Sequence, residues 1–186
     1  MIQMKSIAAA AALALFAPLT ACSQGETTNE ATAAEVDGTL ASAIGDAPGL
    51  TTVSDSLSEA GLGEVFDGPG SYTLLAPGDD AFAPAGEALT GEENRAALVA
   101  VLRGHILPGH LTPEAIRKAI ADKNGPVTMT TLDDGEVTFA AEGDAITVSG
   151  TDGSKATIDG EALIASNGVV LPLDGLVKKA PPAPTT

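Results

Sequence analysis

Aromatic side chains and positive charges are both scarce in this sequence. Its 186 residues include no tryptophan, one tyrosine and four phenylalanines, too few for the platforms on which proteins stack bases or sugars. Nine lysines and arginines stand against 25 aspartates and glutamates, which gives a formal net charge of −16. Because an acidic surface of this size repels phosphate groups, we expect no nucleic acid as a partner.

The residues that metal centres and nucleophilic enzymes need are also nearly absent. The chain has one cysteine, Cys22, and two histidines, His105 and His110, which would need carboxylates to complete a metal site. The sequence has no Gly-x-Ser-x-Gly motif and no phosphate-binding glycine loop. We therefore expect no disulfide within the chain, no metal, no cofactor and no enzyme activity.

The N-terminal residues have the pattern of a secretory signal. Lys5 precedes an apolar run over residues 7–15, which is too short to cross a bilayer as a permanent helix. Residues 19–22, Leu-Thr-Ala-Cys, resemble the bacterial lipobox, which implies removal of residues 1–21 and a lipid on Cys22. The alternative is an ordinary signal peptide with a thiol near its cleavage site. Ser23 stands where an aspartate would indicate inner-membrane retention, so the expected location is the cell envelope, with the outer membrane favoured.

Composition divides the mature chain into three parts. Residues 22–36 are polar and acidic without an apolar period, which predicts a lipidated cysteine followed by a flexible spacer. Residues 37–179 carry the apolar periodicity of one domain. Residues 180–186 are rich in proline, which predicts an extended tail that does not pack.

The first half of the domain has mostly helical periodicity. Thr39 and the pair Thr112-Pro113 are typical helix starts, and Gly61 and Gly104 are typical helix ends. Residues 71–76 predict a strand within this helical region.

From Val127 onward the apolar period drops to two. Four short apolar segments are separated by glycine-containing turns such as Asp133-Asp134-Gly135, which predicts an antiparallel meander. Helices first and an antiparallel sheet second indicate an α+β domain.

Three segments share a further pattern in order along the chain. They are residues 72–82 (Tyr-Thr-Leu-Leu-Ala-Pro-Gly-Asp-Asp-Ala-Phe), 102–109 (Leu-Arg-Gly-His-Ile-Leu-Pro-Gly) and 164–176 (Ile-Ala-Ser-Asn-Gly-Val-Val-Leu-Pro-Leu-Asp-Gly-Leu). In sequence and spacing these segments resemble the signature motifs of fasciclin (FAS1) domains. The resemblance covers residues 37–179 and implies a wedge of short antiparallel strands packed with several helices.

The motif positions that this chain keeps are predicted to be structural. They are Ala76, Pro77, Asp79, Phe82, His105, Pro108, Gly109, Asn167, Gly168 and Asp174. Two departures stand out. Gly104 replaces the tyrosine of a tyrosine–histidine pair that has been linked to adhesion in animal relatives, and Leu171-Pro172 replaces a frequent His-Val.

Each polar candidate has a structural and a functional interpretation. His105, beside apolar residues, is expected to be buried and hydrogen-bonded, with metal binding or catalysis as the alternative. The Asp79-Asp80 pair is expected to cap the helical turn that follows it, with cation binding as the alternative. Asn167-Gly168 favours a tight turn over a contact surface. Asp133-Asp134-Gly135 favours a hairpin turn over a calcium loop, and His110 favours an exposed loop.

Two functions from different classes are consistent with these observations. The first is a non-enzymatic, membrane-tethered adhesion module that binds a surface or matrix protein or a polysaccharide. The second is a carrier of an apolar small molecule such as a carotenoid, a ligand implied by the fasciclin resemblance. Its groove would be lined by Ile106, Leu107, Val169, Val170 and Leu171, although plain core packing also accounts for these residues.

Overall fold

The computed structural model describes residues 32–89 and 91–180. The predicted signal, Cys22 with most of the spacer, and the tail after Ala180 lie outside the described residues. Within the described ranges, none of the helices combines the length and apolarity that crossing a bilayer requires.

Helices dominate the first half of the domain. They are α1 (Leu40–Asp46), α2 (Thr51–Glu59), α3 (Gly63–Asp67), α4 (Asp79–Leu89), α5 (Arg95–Arg103, preceded by a short 3-10 turn, Glu92–Asn94) and α6 (Pro113–Lys123). Threonine caps act where the sequence predicts them. Thr39 accepts a hydrogen bond from the backbone N–H of Ser42 at 3.4 Å, and Thr112 accepts one from Ala115 at 3.2 Å. The predicted starts of α1 and α6 are confirmed.

Strands lie between the helices and fill the C-terminal half. They are β1 (Ala33–Glu35), β2 (Tyr72–Pro77), β3 (Ile106–Pro108), β4 (Val127–Thr130), β5 (Glu136–Glu142), β6 (Ala145–Gly150), β7 (Lys155–Thr157), β8 (Ala162–Ala165) and β9 (Gly168–Leu173). They form one five-stranded sheet of order β1-β8-β9-β2-β3 and one four-stranded sheet of order β4-β5-β6-β7. The predicted α+β class and the antiparallel meander are confirmed.

The five-stranded sheet differs from the prediction in being mixed. Strand β2 pairs with β9 in parallel over six residue pairs, and β1 pairs with β8 in parallel. Strands β2 and β9 are buried on both faces, so their apolar residues run almost continuously, as is typical of central parallel strands. Sequence distance conceals this pairing, because about 90 residues separate the two strands.

Two hydrophobic cores lie on opposite sides of the five-stranded sheet. One face, with Leu74, Ile106 and Val170, packs with α1–α5 around Phe66 and Phe82. The other face packs against the four-stranded sheet and α6 around Phe139 and Ile146. Neighbouring residues of a strand point to opposite faces, so each inner strand contributes to both cores.

The N-terminal boundary of the domain lies earlier than predicted. Strand β1 pairs with β8, and the bonds that flank it join Ala162 N–H to Thr32 O at 2.7 Å and Val36 N–H to Ile164 O at 2.9 Å. The predicted spacer is therefore wrong over residues 33–36. A three-residue strand is too short for a visible period, and its partner β8 lies far along the chain.

Candidate functional site

His105 lies between α5 and β3 and is 1% exposed. Its Nδ1–H donates to the carbonyl of Val101 at 2.8 Å, and its Nε2 accepts from the backbone N–H of Val177 at 3.1 Å. Both ring nitrogens of the neutral imidazole are thus occupied by backbone groups. Such a histidine joins two segments and has no free nitrogen for a metal or a substrate proton. His110, in contrast, is exposed.

Burial lowers the pKa of His105 from its ordinary 6.5 to about 4. The hydrogen bond to Val101 opposes this shift, and the positive charge of Lys178 adds to it. The folded state therefore keeps a neutral imidazole at a pH where an unfolded chain would protonate it.

We expect the free energy of unfolding to fall as the pH drops from 6.5 towards 4. In that window the unfolded state binds a proton at His105 and the folded state does not, so protonation favours unfolding. The expected loss is about 2 to 3 kcal/mol, fully regained above pH 6.5. Urea unfolding at several pH values measures it. A His105→Gln variant, which does not titrate, is the control, and an equal pH slope in both proteins would contradict the assignment.

Asn167, at the β8–β9 turn, connects three elements. Its Oδ1 accepts from the backbone N–H of Leu40 at 2.7 Å, and its Nδ2 donates to the carbonyls of Phe66 at 2.7 Å and Gly68 at 3.0 Å. The side chain therefore ties the start of α1 and the end of α3 to the sheet. The adjacent Gly168 is buried against Tyr72 of the neighbouring strand. The side chain of Asn167 and the surface of Gly168 are thus both committed to contacts within the domain.

Asp79 is a cap, but for a different helix than predicted. It is the first residue of α4, and its Oδ1 accepts from the backbone N–H of Thr52 in the first turn of α2 at 2.7 Å. Leu50, at the N-cap of α2, supplies no side-chain acceptor. The hydrogen bond from Thr52 holds the pKa of Asp79 below its ordinary value, against desolvation that raises it. The expected cap of its own turn is therefore wrong, since Asp79 stabilises α2 across the chain.

The remaining motif residues are also engaged in packing or turns. Ala76, Pro77 and Phe82 are buried, and Asp174 accepts from the backbone N–H of Thr157 at 2.6 Å. Pro108 is exposed and leads into Gly109, whose φ of 100° requires glycine.

The Asp133-Asp134-Gly135 turn is built from its own polar groups. The side chain of Asp133 accepts from the hydroxyl of Thr131 and from the N–H of Gly135. Asp134, with a φ of 62°, takes the left-handed conformation in this turn. The hairpin is confirmed, with β4 and β5 antiparallel.

The five predicted groove residues do not line a groove. Ile106, Leu107, Val169, Val170 and Leu171 are all 0% exposed. Ile106 and Val170 belong to one core, and the other three belong to the core on the opposite face. The groove prediction is wrong because an apolar strand buried on both faces has the same sequence as one that lines a cavity.

Gly104 lies under the side chain of Lys178. A Cβ at position 104 would lie 2.5 Å from Lys178 Cδ. The ammonium group of Lys178 forms an ion pair with Asp133. The aliphatic part of the Lys178 side chain therefore fills the space that the Cβ of a larger residue at position 104 would need. The tyrosine of the motif has no equivalent here.

An open cleft of about 830 Å³ lies among the described residues. It is lined by Ala47, Pro48, Gly49, Leu50, Gly78, Asp79, Asp80, Ala81, Asp159, Gly160, Glu161, Leu163, Pro172, Leu173 and Asp174. These residues come from the α1–α2 loop, the start of α4, the β7–β8 loop and strands β8 and β9. Five of them carry carboxylates and none carries a positive charge. No local pattern in the sequence indicates this cleft, because its walls come from four segments distant in the chain.

The carboxylates of the cleft do not form a metal centre. Within residues 32–89 and 91–180, no group of three or more His, Cys, Asp or Glu side chains is placed to hold a metal ion. The cleft therefore presents dispersed negative charge around an apolar lining. That arrangement suits recognition of a surface better than chelation of an ion.

Comparisons with known proteins agree with this architecture. A sequence model of the fasciclin domain matches residues 48–178. The chain is 32% identical over 136 residues to Protein sll1483 of Synechocystis, covering 69% of this chain and 66% of that protein. It is 29% identical over 130 residues to transforming growth factor-beta-induced protein ig-h3 of Sus scrofa, covering 68% of this chain and 17% of that protein. The chain thus spans less than two thirds of each relative.

A solved structure extends the comparison to the fold. The FAS1 domain pair of the insect cell adhesion molecule fasciclin I matches with a TM-score of 0.50 and 23% identity, over 70% of this chain and 41% of that one. Fasciclin domains are generally adhesion-related modules. The match to the fasciclin domain model covers most of the domain. The chain therefore belongs to the fasciclin domain family.

Proposed function

We propose that this protein is a non-enzymatic binding module, anchored by lipid to the cell envelope, that attaches to a surface or matrix partner. One observation supports the binding role above all. The polar motif residues His105, Asn167 and Asp79 bond to the protein's own backbone, whereas the large cleft stays open. A domain organised in this way offers a surface to a partner, while these three side chains are committed to backbone groups of the domain.

The anchor is proposed from the sequence around Cys22. A lipid there would be followed by residues 23–32 and then by β1. Fully extended, this segment reaches about 30 Å, enough to hold the domain clear of lipid headgroups. Two or more acyl chains would make the attachment stable.

Replacing Cys22 with alanine is expected to move the protein from the membrane fraction to the soluble fraction, because the thiol is the only acceptor for the lipid. Fractionation of cells labelled with palmitate measures both the lipid and the location. Ser23→Ala keeps the cysteine and serves as the control. A Cys22→Ala variant that stays in the membrane fraction would contradict the lipid anchor.

The same strains test the binding role. Cells that carry the wild-type chain should attach to matrix-coated surfaces more strongly than cells with the Cys22→Ala variant, because released domains no longer connect the cell to its partner. Equal attachment of both strains and of cells that lack the protein would overturn the adhesion role. The carrier alternative is not proposed, because its groove residues are fully buried.

A further inference from the structure

We propose that the partner is a protein and that a positively charged, extended segment of it lies in the cleft between the α1–α2 loop and the β7–β8 loop. This proposal rests on the binding role proposed above and names the partner's chemistry. It is carried by the shape of the cleft, the charge of its rim and the bonding state of its carboxylates.

The cleft has an apolar lining that is open to solvent. Ala47, Pro48, Leu163 and Pro172 are exposed or half-buried, and they face the same volume of about 830 Å³. A volume of this size accommodates several side chains of an extended peptide. The stems of lysine and arginine gain from covering such a lining while their charged ends stay in water.

Three carboxylates at the cleft are available to a ligand. Asp80, Asp159 and Glu161 are exposed, and no described residue forms a hydrogen bond or ion pair with their side chains. Asp79 and Asp174 each commit one oxygen to a backbone N–H. A cationic segment would pair with the three free groups, and charge complementarity of this kind guides partners and suppresses anionic competitors.

The chemistry of the lining favours a polypeptide over other ligands. Among the described residues, the carboxylates are not grouped for a metal ion. A ligand that pairs with them therefore carries its positive charges at separate points, as a peptide with several basic residues does. No aromatic side chain lines the cleft, so a sugar ring would find no stacking surface. An acidic polysaccharide would be repelled by the rim.

The test compares two triple variants with equal loss of charge. The first, Asp80→Asn with Asp159→Asn and Glu161→Gln, neutralises the cleft. The control, Asp55→Asn with Glu114→Gln and Asp134→Asn, removes three exposed carboxylates that do not line it. The probe is a short fluorescent peptide of alternating lysine and leucine, and its affinity is measured by anisotropy at low and at physiological salt.

The cleft variant should bind the peptide about tenfold more weakly than the wild type, and the control should change less than twofold. Chemical shifts of the wild-type protein should move at the cleft residues when the peptide is added. Wild-type affinity should fall at physiological salt, where the Debye length is about 8 Å.

Three results would overturn the cleft assignment. One is an equal loss of affinity in both variants, which would show that the peptide responds to the net charge of the protein and not to the cleft. Another is binding of a neutral glucose hexasaccharide to the wild-type cleft in preference to the peptide. The third is a concentration-dependent dimer that only the cleft variant loses, since the occupant would then be a second copy of this chain. The outcome of the cell-attachment assay does not depend on any of these results. Failure of the cleft proposal can therefore be distinguished from failure of the proposed binding role.

Discussion

Replacing His105 with alanine is expected to lower the free energy of unfolding by about 3 to 5 kcal/mol. The substitution removes a fully buried ring and leaves a cavity beside α5. It also leaves the carbonyl of Val101 and the N–H of Val177 without their side-chain partner, and both residues are buried. Each unpaired buried group adds about 1 to 3 kcal/mol to the cost, some of which relaxation recovers.

Thermal and urea unfolding measure this loss, which corresponds to a midpoint lowered by about 10 °C or more in a domain of this size. His110→Ala is the matched control, because that histidine is exposed and its removal should cost less than about 0.5 kcal/mol. An unchanged midpoint for His105→Ala, combined with weaker binding of a partner, would instead make His105 a binding residue.

Replacing Gly168 with alanine should destabilise the domain by at least about 3 kcal/mol. A Cβ at this position would overlap the backbone carbonyl oxygen of Tyr72 and lie 2.8 Å from Leu40 Cδ2. Tyr72 pairs directly with Gly168 at the start of the parallel β2–β9 ladder, and Leu40 is fully buried in the core. The carbonyl of Tyr72 cannot withdraw without moving a central strand, and the Leu40 side chain has little room to turn because it is fully buried, so overpacking here is costly.

Gly45→Ala is the control for Gly168→Ala, since it adds the same methyl group elsewhere. Nothing lies within 4 Å of a Cβ at Gly45, which sits inside α1. Alanine there should stabilise the helix by about 0.5 to 1 kcal/mol. If Gly168→Ala unfolds at the same urea concentration as the wild type, the close β2–β9 approach described here is incorrect.

Local patterns in the sequence predicted the parts of the fold that depend on local chemistry. Thr39 and Thr112 begin helices because their hydroxyls satisfy N–H groups three residues later. The turn at Asp133 forms from side chains within that turn. His105 is buried where its apolar neighbours predicted burial. The caps and the turn are each determined by residues within a few positions of one another.

The features that escaped prediction depend on distant partners. Asp79 caps α2 rather than α4 because the loop before α2 passes beside it, a contact across 27 residues. The apolar run at Val169 and Val170 is typical both of a strand that lines a groove and of a strand that is buried on both faces. Periodicity does not reveal what covers the second face of a strand. The cleft is assembled from loops and strand ends that are distant in the chain and lie together only in the folded domain.

Strand β1 determines how the domain responds to mechanical load. Any tension applied to the chain ahead of Thr32 reaches β1 first, and β1 is held at the sheet edge by a few backbone hydrogen bonds to β8. Since each such bond contributes only about 1 kcal/mol, and only the partly buried Ala33 and Val36 pack against the cores here, β1 should detach before the cores are disrupted. Its release would add about 15 Å of chain length, so in a chain anchored as proposed above, tension would extend this short segment before the domain unfolds.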